Sequence, residues 1–159
     1  MAQPAYTAPT GVAPVSAPVA RTDNPAYRAY QLLHIGFTLA PIIAGLDKFF
    51  LILANWDNYL APIIPQTLHV QPHMFMMAVG IIEIIAGLIV AIKPRIGGYV
   101  VAVWLWGIII NLFLVPGIIG HQGHTWGLDL ALRDFGLSLG ALALAWLGAM
   151  FDRPAAPAA

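Results

Sequence analysis

Four long apolar blocks dominate the sequence, at about residues 30–54, 73–92, 99–115 and 130–150. Each comes close to the roughly 20 residues that an α-helix needs to cross a hydrocarbon core about 30 Å thick. Only 9% of the 159 residues are charged, whereas soluble domains are about 25% charged. The blocks therefore predict an all-α, polytopic membrane protein, a four-transmembrane-helix bundle that occupies residues 27–151 and contacts the lipid bilayer.

The remaining segments are more polar or are interrupted by Pro and Gly. Residues 1–26 and 152–159 are rich in Pro and Ala, so we expect two tails, of which the first is disordered. Residues 55–72 are broken by three prolines and predict an interfacial loop that does not span the membrane, with Trp56 and Tyr59 at the level of the lipid head groups. Residues 93–98 and 117–129 predict the other two connections.

Positive charges are distributed unevenly among these segments. Those outside the predicted spans all fall in the N-terminal tail, the second connection and the C-terminal tail: Arg21, Arg28, Lys93, Arg95 and Arg153. Short loops that carry the excess of Lys and Arg stay on the cytoplasmic side. We therefore expect a multi-pass protein of a bacterial-type plasma (inner) membrane with both termini in the cytoplasm.

Composition also narrows the function classes. The formal net charge is zero, which gives no indication of a nucleic-acid partner. The chain has no cysteine, which excludes disulfides, thiol redox chemistry, iron–sulfur clusters and thiolate metal sites. No nucleophile elbow, phosphate-binding loop, dinucleotide fingerprint or zinc-protease motif is present. Catalytic residues are therefore unknown, and we lean towards a chain with no catalytic activity of its own.

Six polar residues lie inside the predicted spans: Asp47, Lys48, Glu83, Asn111, Arg133 and Asp134. Five of them are charged, out of only 14 charged residues in the chain. Helix rise places all six in the outer half of the bundle. Ionisable groups within a membrane span usually face the protein interior and mark functional sites. The set is therefore a candidate site for a ligand, a proton or a partner protein.

Neighbours on a helix point about 100° apart, so we expect each charge to find its partner on another helix. This predicts Lys48 paired with Glu83 or Asp134, and Arg133 paired with Asp47, with the amide of the third span filling the remaining hydrogen-bonding capacity. Two bases against three acids leave one carboxyl over, which is solvated, protonated or bonded to a ligand. The competing interpretation is purely structural, because ion pairs can fix the register of packed helices.

Four histidines fall on the predicted outer side: His69, His73, His121 and His124. Imidazole binds zinc, copper and iron, but no carboxylate or thiolate accompanies these residues at a ligand spacing. We therefore treat them as weak metal candidates and expect ordinary loop histidines.

Small and aromatic residues give two further hypotheses. Gly136, Gly140 and Ala143 share one face of the fourth span, which favours close packing within the bundle or, alternatively, association of two copies. Trp104 and Trp106 lie inside the third span and point to different faces, which lets one of them line the bundle.

Three segments resemble the DoxX-like family of membrane proteins: AGLDKFF at 44–50, VGIIEIIAGL at 79–88 and RDFGLSLGAL at 133–142. The likeness covers about residues 30–150. It implies a four-helix membrane bundle in which Lys48 matches the family's first-helix lysine and Glu83 its second-helix acid. Some relatives are subunits of thiosulfate:quinone oxidoreductase or partners in membrane-associated redox and thiol-stress complexes.

These observations leave three hypotheses. The first is a non-catalytic subunit or scaffold of a redox complex, with other membrane redox subunits as partners and quinone as the candidate cofactor. The second is a small transporter or proton-conducting bundle that uses Lys48, Glu83 and Asp134 as a relay. The third is a structural membrane protein whose charges set the helix register.

Overall fold

The computed structural model describes residues 24–115 and 126–152, and within them every regular element is helical. Four of the helices are long and apolar enough to cross a membrane, which confirms the predicted all-α, multi-span architecture. The elements in chain order are α1 (Pro25–Phe50), a 3₁₀ helix (Trp56–Tyr59), α2 (Ile63–Leu68), α3 (Pro72–Ile92), α4 (Pro94–Phe113) and α5 (Trp126–Phe151).

The four long helices form two closely packed pairs, α1 with α3 and α4 with α5. Contacts between α3 and α4, and between α1 and α5, are less extensive. The start of α1 and the end of α5 meet where the Tyr30 hydroxyl donates to Asp152 Oδ1 at 2.6 Å. Lys93, between α3 and α4, lies at this same end, which we call the terminal end. The opposite end, where residues 51–71 lie, is the loop end.

α1 begins and ends earlier than the predicted span of 30–54. At its start, the Asn24 side chain accepts from Ala26 N at 2.9 Å and Pro25 occupies the first turn, which are both favourable features of a helix N-terminus. The predicted tail of residues 1–26 is therefore helical at Pro25 and Ala26. At the other end, Leu51 adopts the left-handed conformation with φ 55° and stops the helix.

The prediction of a loop at 93–98 is wrong. Only Lys93 separates α3 from α4, and α4 begins with Pro94 in its first turn instead of at residue 99. Such an immediate reversal brings the backbones very close, since a Cβ on Gly97 would lie 2.4 Å from Val90 Cα. Glycine at this position removes that collision.

The segment at residues 55–72 does not span the bundle, but it is more ordered than a plain loop. It contains the 3₁₀ helix and the six-residue helix α2. α5 begins at Trp126, earlier than the predicted residue 130. The predictions for residues 1–23, 117–125 and 153–159, including those for Arg21 and Arg153, lie outside the described residues.

Glycines make both closely packed helix pairs possible. A Cβ on Gly45 would lie 2.5 Å from Gly80 O, and one on Gly98 would lie 2.6 Å from Ala141 O. Close backbone approach of this kind is how helices associate in lipid, where burial of apolar surface supplies no drive. The outward faces carry large exposed apolar side chains, as expected for lipid contact.

The predicted small-residue face of α5 is divided between two environments. A Cβ on Gly140 would lie 3.2 Å from the Phe37 ring of α1, so this glycine serves packing within the chain. A Cβ on Gly136 would meet nothing within 4 Å, and this glycine is exposed.

Candidate functional site

Lys48 and Glu83 form an ion pair between α1 and α3. Lys48 Nζ donates to Glu83 Oε2 at 2.5 Å, and the two side chains are only 2% and 8% exposed. Glu83 is one of the two partners predicted for Lys48. A buried pair of this kind is destabilising to break, since the remaining charge would lie unpaired in an apolar interior.

Lys48 lies nearer the end of its helix than predicted. Because α1 ends at Phe50 and not at the predicted Ala54, Lys48 is only about 3 Å from the helix end. Its side chain is nevertheless buried, between Glu83 of α3 and Trp56 of the loop-end segment. The Trp56 ring lies over Lys48 Nζ, with 4.0 Å between the ammonium nitrogen and the ring centroid, a cation–π contact.

Asp47 does not pair with Arg133, so that prediction is wrong. Its Oδ1 accepts from the backbone N–H groups of Ile52 and Leu53, both at 2.9 Å, and its Oδ2 accepts from Trp56 Nε1 at 2.7 Å. In a continuing helix those two N–H groups would bond to carbonyls four residues earlier. The Asp47 carboxylate takes their place, which turns the chain out of α1 and holds Trp56 over Lys48.

Arg133 pairs with its own neighbour Asp134, contrary to the prediction that adjacent charges on a helix would not meet. Arg133 Nε and Nη2 donate to Asp134 Oδ1 at 3.1 and 3.0 Å. The long arginine side chain bends back along α5, a movement that the 100° rule for Cβ directions does not exclude. The Asp134 side chain is 4% exposed and the Arg133 side chain 59%.

Asn111 bonds to the loop-end segment and not, as predicted, to the charged side chains. Its Nδ2 donates to Tyr59 O at 2.7 Å, and its Oδ1 accepts from Ala61 N at 3.0 Å. These bonds attach the backbone after the 3₁₀ helix to α4. Asn111 therefore positions the segment that carries Trp56.

Two cavities, of about 340 and 400 Å³, meet at the ion pairs. The first lies towards the loop end, between residues 54–64, α3 and α4. The second runs along α1 towards the terminal end. The residues that line both cavities are Lys48, Trp56, Glu83, Trp104, Ile108, Arg133 and Asp134. We call the four charged members together with Trp104 the polar cluster.

Trp104 supplies a hydrogen-bond donor that the protein leaves unused. Its Nε1 atom is buried and has no hydrogen-bond partner among the described residues. Buried indole N–H groups usually find a partner, because leaving one unmade costs about 1–3 kcal/mol. Arg133 adds further capacity, since a guanidinium has five N–H donors and only Nε and Nη2 are engaged by Asp134.

The charges of the polar cluster balance, which limits what it can bind. Lys48 is paired with Glu83 and Arg133 with Asp134, so no cation of the cluster is left to neutralise an anion. The predicted surplus carboxyl is Asp47, and backbone and indole N–H groups satisfy it. What remains unpaired among the described residues are hydrogen-bond donors, the Trp104 N–H and the other N–H groups of Arg133, beside two largely apolar cavities. That combination suits a neutral head group that accepts hydrogen bonds.

His69 and His73, the two loop-end histidines that the structure describes, do not line the cavities around the polar cluster. His73 Nδ1 is 3.5 Å from Asp57 Oδ2 at the loop end, and exposed His69 contacts Thr67 O at 3.2 Å. His121 and His124 fall outside the described residues. Within the described residues, no group of three or more His, Asp or Glu side chains is placed to hold a metal ion.

Two residues of the site were missed or left open at the sequence level. Trp56 was expected to be an interfacial anchor, yet it caps Lys48. The signal that could have found it is the short spacing from Asp47, whose carboxylate needs N–H donors. Trp104 is the tryptophan that lines the bundle, whereas Trp106 packs against Phe135 with ring centroids 5.9 Å apart.

Comparison with family models, with curated proteins and with solved structures found no match to this chain. The DoxX-like resemblance of the three segments therefore stays a prediction. Within the described residues, the structure establishes an all-helical architecture with four candidate membrane spans and a polar cluster that lines two cavities.

Proposed function

We propose that this chain is a non-catalytic integral subunit of a membrane redox complex, and that its polar cluster holds the head group of a lipophilic ligand such as a quinone. One observation carries this proposal. The buried Trp104 N–H has no partner within the described residues, and the Trp104 side chain lines both apolar cavities beside two ion pairs. A ligand carbonyl would provide the missing acceptor.

The charge balance favours a quinone-type head over an acidic one. A quinone is neutral and has two carbonyl acceptors, so Trp104 Nε1 and an Arg133 N–H can each donate to it. The chain would then bind and orient the ligand for a partner subunit that exchanges the electrons. The DoxX-like resemblance supports a redox partner, and the distribution of Lys and Arg supports a bacterial inner membrane with cytoplasmic termini.

The direct test is ligand binding to the purified chain in lipid nanodiscs. The probe is 2,3-dimethoxy-5-methyl-1,4-benzoquinone, with binding followed by quenching of tryptophan fluorescence. We expect Trp104→Phe to weaken binding about fivefold, because it removes one hydrogen bond worth about 1 kcal/mol and keeps an aromatic ring. Trp146→Phe is the matched control, since Trp146 is 63% exposed on the outer face of α5.

The binding results of the wild-type chain and the two tryptophan variants decide between support and contradiction. Saturable binding that depends on Trp104 and not on Trp146 supports the proposal. Absence of saturable binding to the wild-type chain contradicts it, as does equal weakening by both tryptophan variants. Co-purification of redox subunits in a mild detergent would identify the complex.

A proton-conducting or transport function is the second candidate, because the two cavities approach Lys48, Glu83 and Asp134 from different directions. A relay across the membrane would need such two-sided access. We expect Glu83→Gln to abolish proton flux in liposomes if this function is present. Asp57→Asn, at the loop end, is the control that should leave flux intact. Absence of proton flux through the wild-type protein would contradict this candidate.

The structural interpretation rests on the Lys48–Glu83 bond, which links α1 to α3. It predicts a folded chain with neither ligand binding nor flux. Association of copies through Gly136, Gly140 and Ala143 also stays a prediction. Of these three residues, Gly136 leaves the most open surface.

A further inference from the structure

The second cavity continues from the polar cluster as an apolar groove along α1. Leu32, Gly36, Ala40 and Ala44 line it at intervals of four residues, and Lys48 stands at its end. Residues four apart are neighbours on a helix, turned by about 40° at each step, so these residues form a stripe that winds gradually around α1. From Leu32 to Lys48 this stripe is about 24 Å long.

The groove lies where the bundle is packed least tightly. α1 and α5 contact each other far less extensively than either contacts its closely packed partner. Leu137 of α5 lines the opposite wall. At the far end Leu32 is 74% exposed, and a Cβ on Gly36 would meet nothing within 4 Å. The groove therefore opens sideways between α1 and α5, towards the surface that faces lipid.

We infer that this groove holds the apolar tail of the ligand and that the ligand enters from the bilayer between α1 and α5. This inference rests on the proposed function, since the polar cluster supplies the site for the head group. It adds the class of the ligand, a molecule with one linear tail and a neutral head that bears a carbonyl group. It also adds the route of entry, which is from the membrane.

The dimensions favour one tail over a protein segment. A cavity of about 400 Å³ that extends over about 24 Å is narrow, since a cylinder about 10 Å across and of that length would need about 1,900 Å³. A single hydrocarbon chain fits such a narrow groove, because carbon atoms in contact lie about 4 Å apart. An α-helix with side chains is about 10–12 Å across and does not fit. Continuity with the polar cluster places the tail's polar head at the inner end.

The test compares two probes that share one head group. One is 2,3-dimethoxy-5-methyl-1,4-benzoquinone, and the other carries a decyl tail on the same ring. Gly36→Phe fills the groove, and the open space at this position lets the chain fold. Gly136→Phe is the matched control, because Gly136 is equally open but lines neither cavity. Binding is measured in nanodiscs at equal ligand-to-lipid ratio.

We expect Gly36→Phe to weaken binding of the decyl probe at least about tenfold and to leave binding of the tailless probe within about twofold. Gly136→Phe should change neither. Ala40→Leu, one turn closer to the cluster, should repeat the effect of Gly36→Phe and covers the case in which the phenylalanine variant fails to fold.

Two outcomes overturn the inference while the proposed function stands. One is tailless binding that depends on Trp104, together with decyl binding unchanged by both groove variants. The other is a change in oligomeric state with Gly36→Phe, which would make a protein helix the occupant. Absence of binding of either probe to the wild-type chain overturns the proposed function itself, and the inference with it.

Discussion

The two ion pairs of the polar cluster use the same chemistry for different purposes. Lys48 and Glu83 come from separate helices, are almost fully buried and join α1 to α3. Arg133 and Asp134 are neighbours on α5, and the arginine side chain is 59% exposed. The first pair is therefore part of what holds the bundle together. The second joins no two elements, so its donors are available to something else.

The same distinction separates the other polar groups. Asp47 and Asn111 bond to backbone and indole groups of the loop end, whereas the Trp104 N–H has no partner in the part of the chain that the structure describes. Polar residues in one apolar chain thus divide into those that build the fold and those that leave bonding capacity beside a cavity. Measured stability should follow this division.

The largest effect should come from breaking the interhelical pair. Lys48→Met leaves the Glu83 carboxylate buried without a partner, and we expect it to lower the free energy of unfolding by about 3–5 kcal/mol. The double variant Lys48→Met/Glu83→Met should recover most of that loss, because a packed apolar pair replaces the ions. Unfolding in mixed micelles, followed by circular dichroism, measures both.

A single variant as stable as the wild type would show that the pair does not hold the helices together. The exchanged pair, Lys48→Glu with Glu83→Lys, gives a second check. Each single reversal should impair folding, and the double exchange should restore part of it. Failure of both double variants would assign the loss to packing rather than to charge.

A smaller loss is expected at the end of α1. Asp47→Ala removes the acceptor of two backbone N–H groups and of Trp56 Nε1, so the turn should loosen and Trp56 should leave Lys48. The measurement is the Trp56 emission, taken as the difference from a Trp56→Phe background, which should shift to longer wavelength. Asp57→Ala is the control, because its contact with His73 is long, at 3.5 Å. An unchanged Trp56 spectrum in Asp47→Ala would contradict the positioning role.

Asn111→Leu tests the second attachment of the loop. It removes two hydrogen bonds with the backbone, one donated to Tyr59 O and one accepted from Ala61 N, and should cost about 1–3 kcal/mol. Amide hydrogen exchange should rise in residues 56–61 and not in the core of α3. Uniform exchange throughout the bundle would indicate a general defect instead of a local one.

The smallest effect on stability is expected at the second ion pair. Arg133→Gln/Asp134→Asn keeps hydrogen-bonding groups of similar size, removes both charges together and leaves no buried ion unpaired. We expect a change in unfolding free energy below about 1 kcal/mol, as is typical of pairs with an exposed member. Binding of the benzoquinone probe should nevertheless weaken. A stability loss as large as that of Lys48→Met would remove the contrast between the two pairs.

Much of the architecture follows from local pattern. An apolar block of about 20 residues can satisfy its backbone in lipid only as a helix, so the four spans could be predicted from the sequence. The bounds were less predictable, because they depend on side-chain caps. Asn24 begins α1 early, and Asp47 ends it before Ala54 by taking two N–H groups from the helix. The single-residue link at Lys93 depends on the close contact between Gly97 and Val90, which lie on the two helices that it joins.

The candidate site was predictable in composition but only in part in geometry. The sequence by itself determined which residues are polar within apolar spans. It predicted Glu83 or Asp134 as the partner of Lys48, because charges in such spans need partners, and the structure shows Glu83. It could not determine the rotation of each helix or the fold of residues 51–71. Those depend on backbone contacts such as that between Gly45 and Gly80.

Only the tertiary structure decided that Asp47 bonds to the loop end and that Arg133 turns to its neighbour. It also decided that Trp104 lines two cavities with its N–H buried and unpartnered among the described residues. The physical reason is that a pattern in sequence fixes which face of a helix is apolar, but side-chain reach and helix rotation fix which groups meet. The polar cluster and the groove along α1 arise from the packing of four helices and from no segment alone.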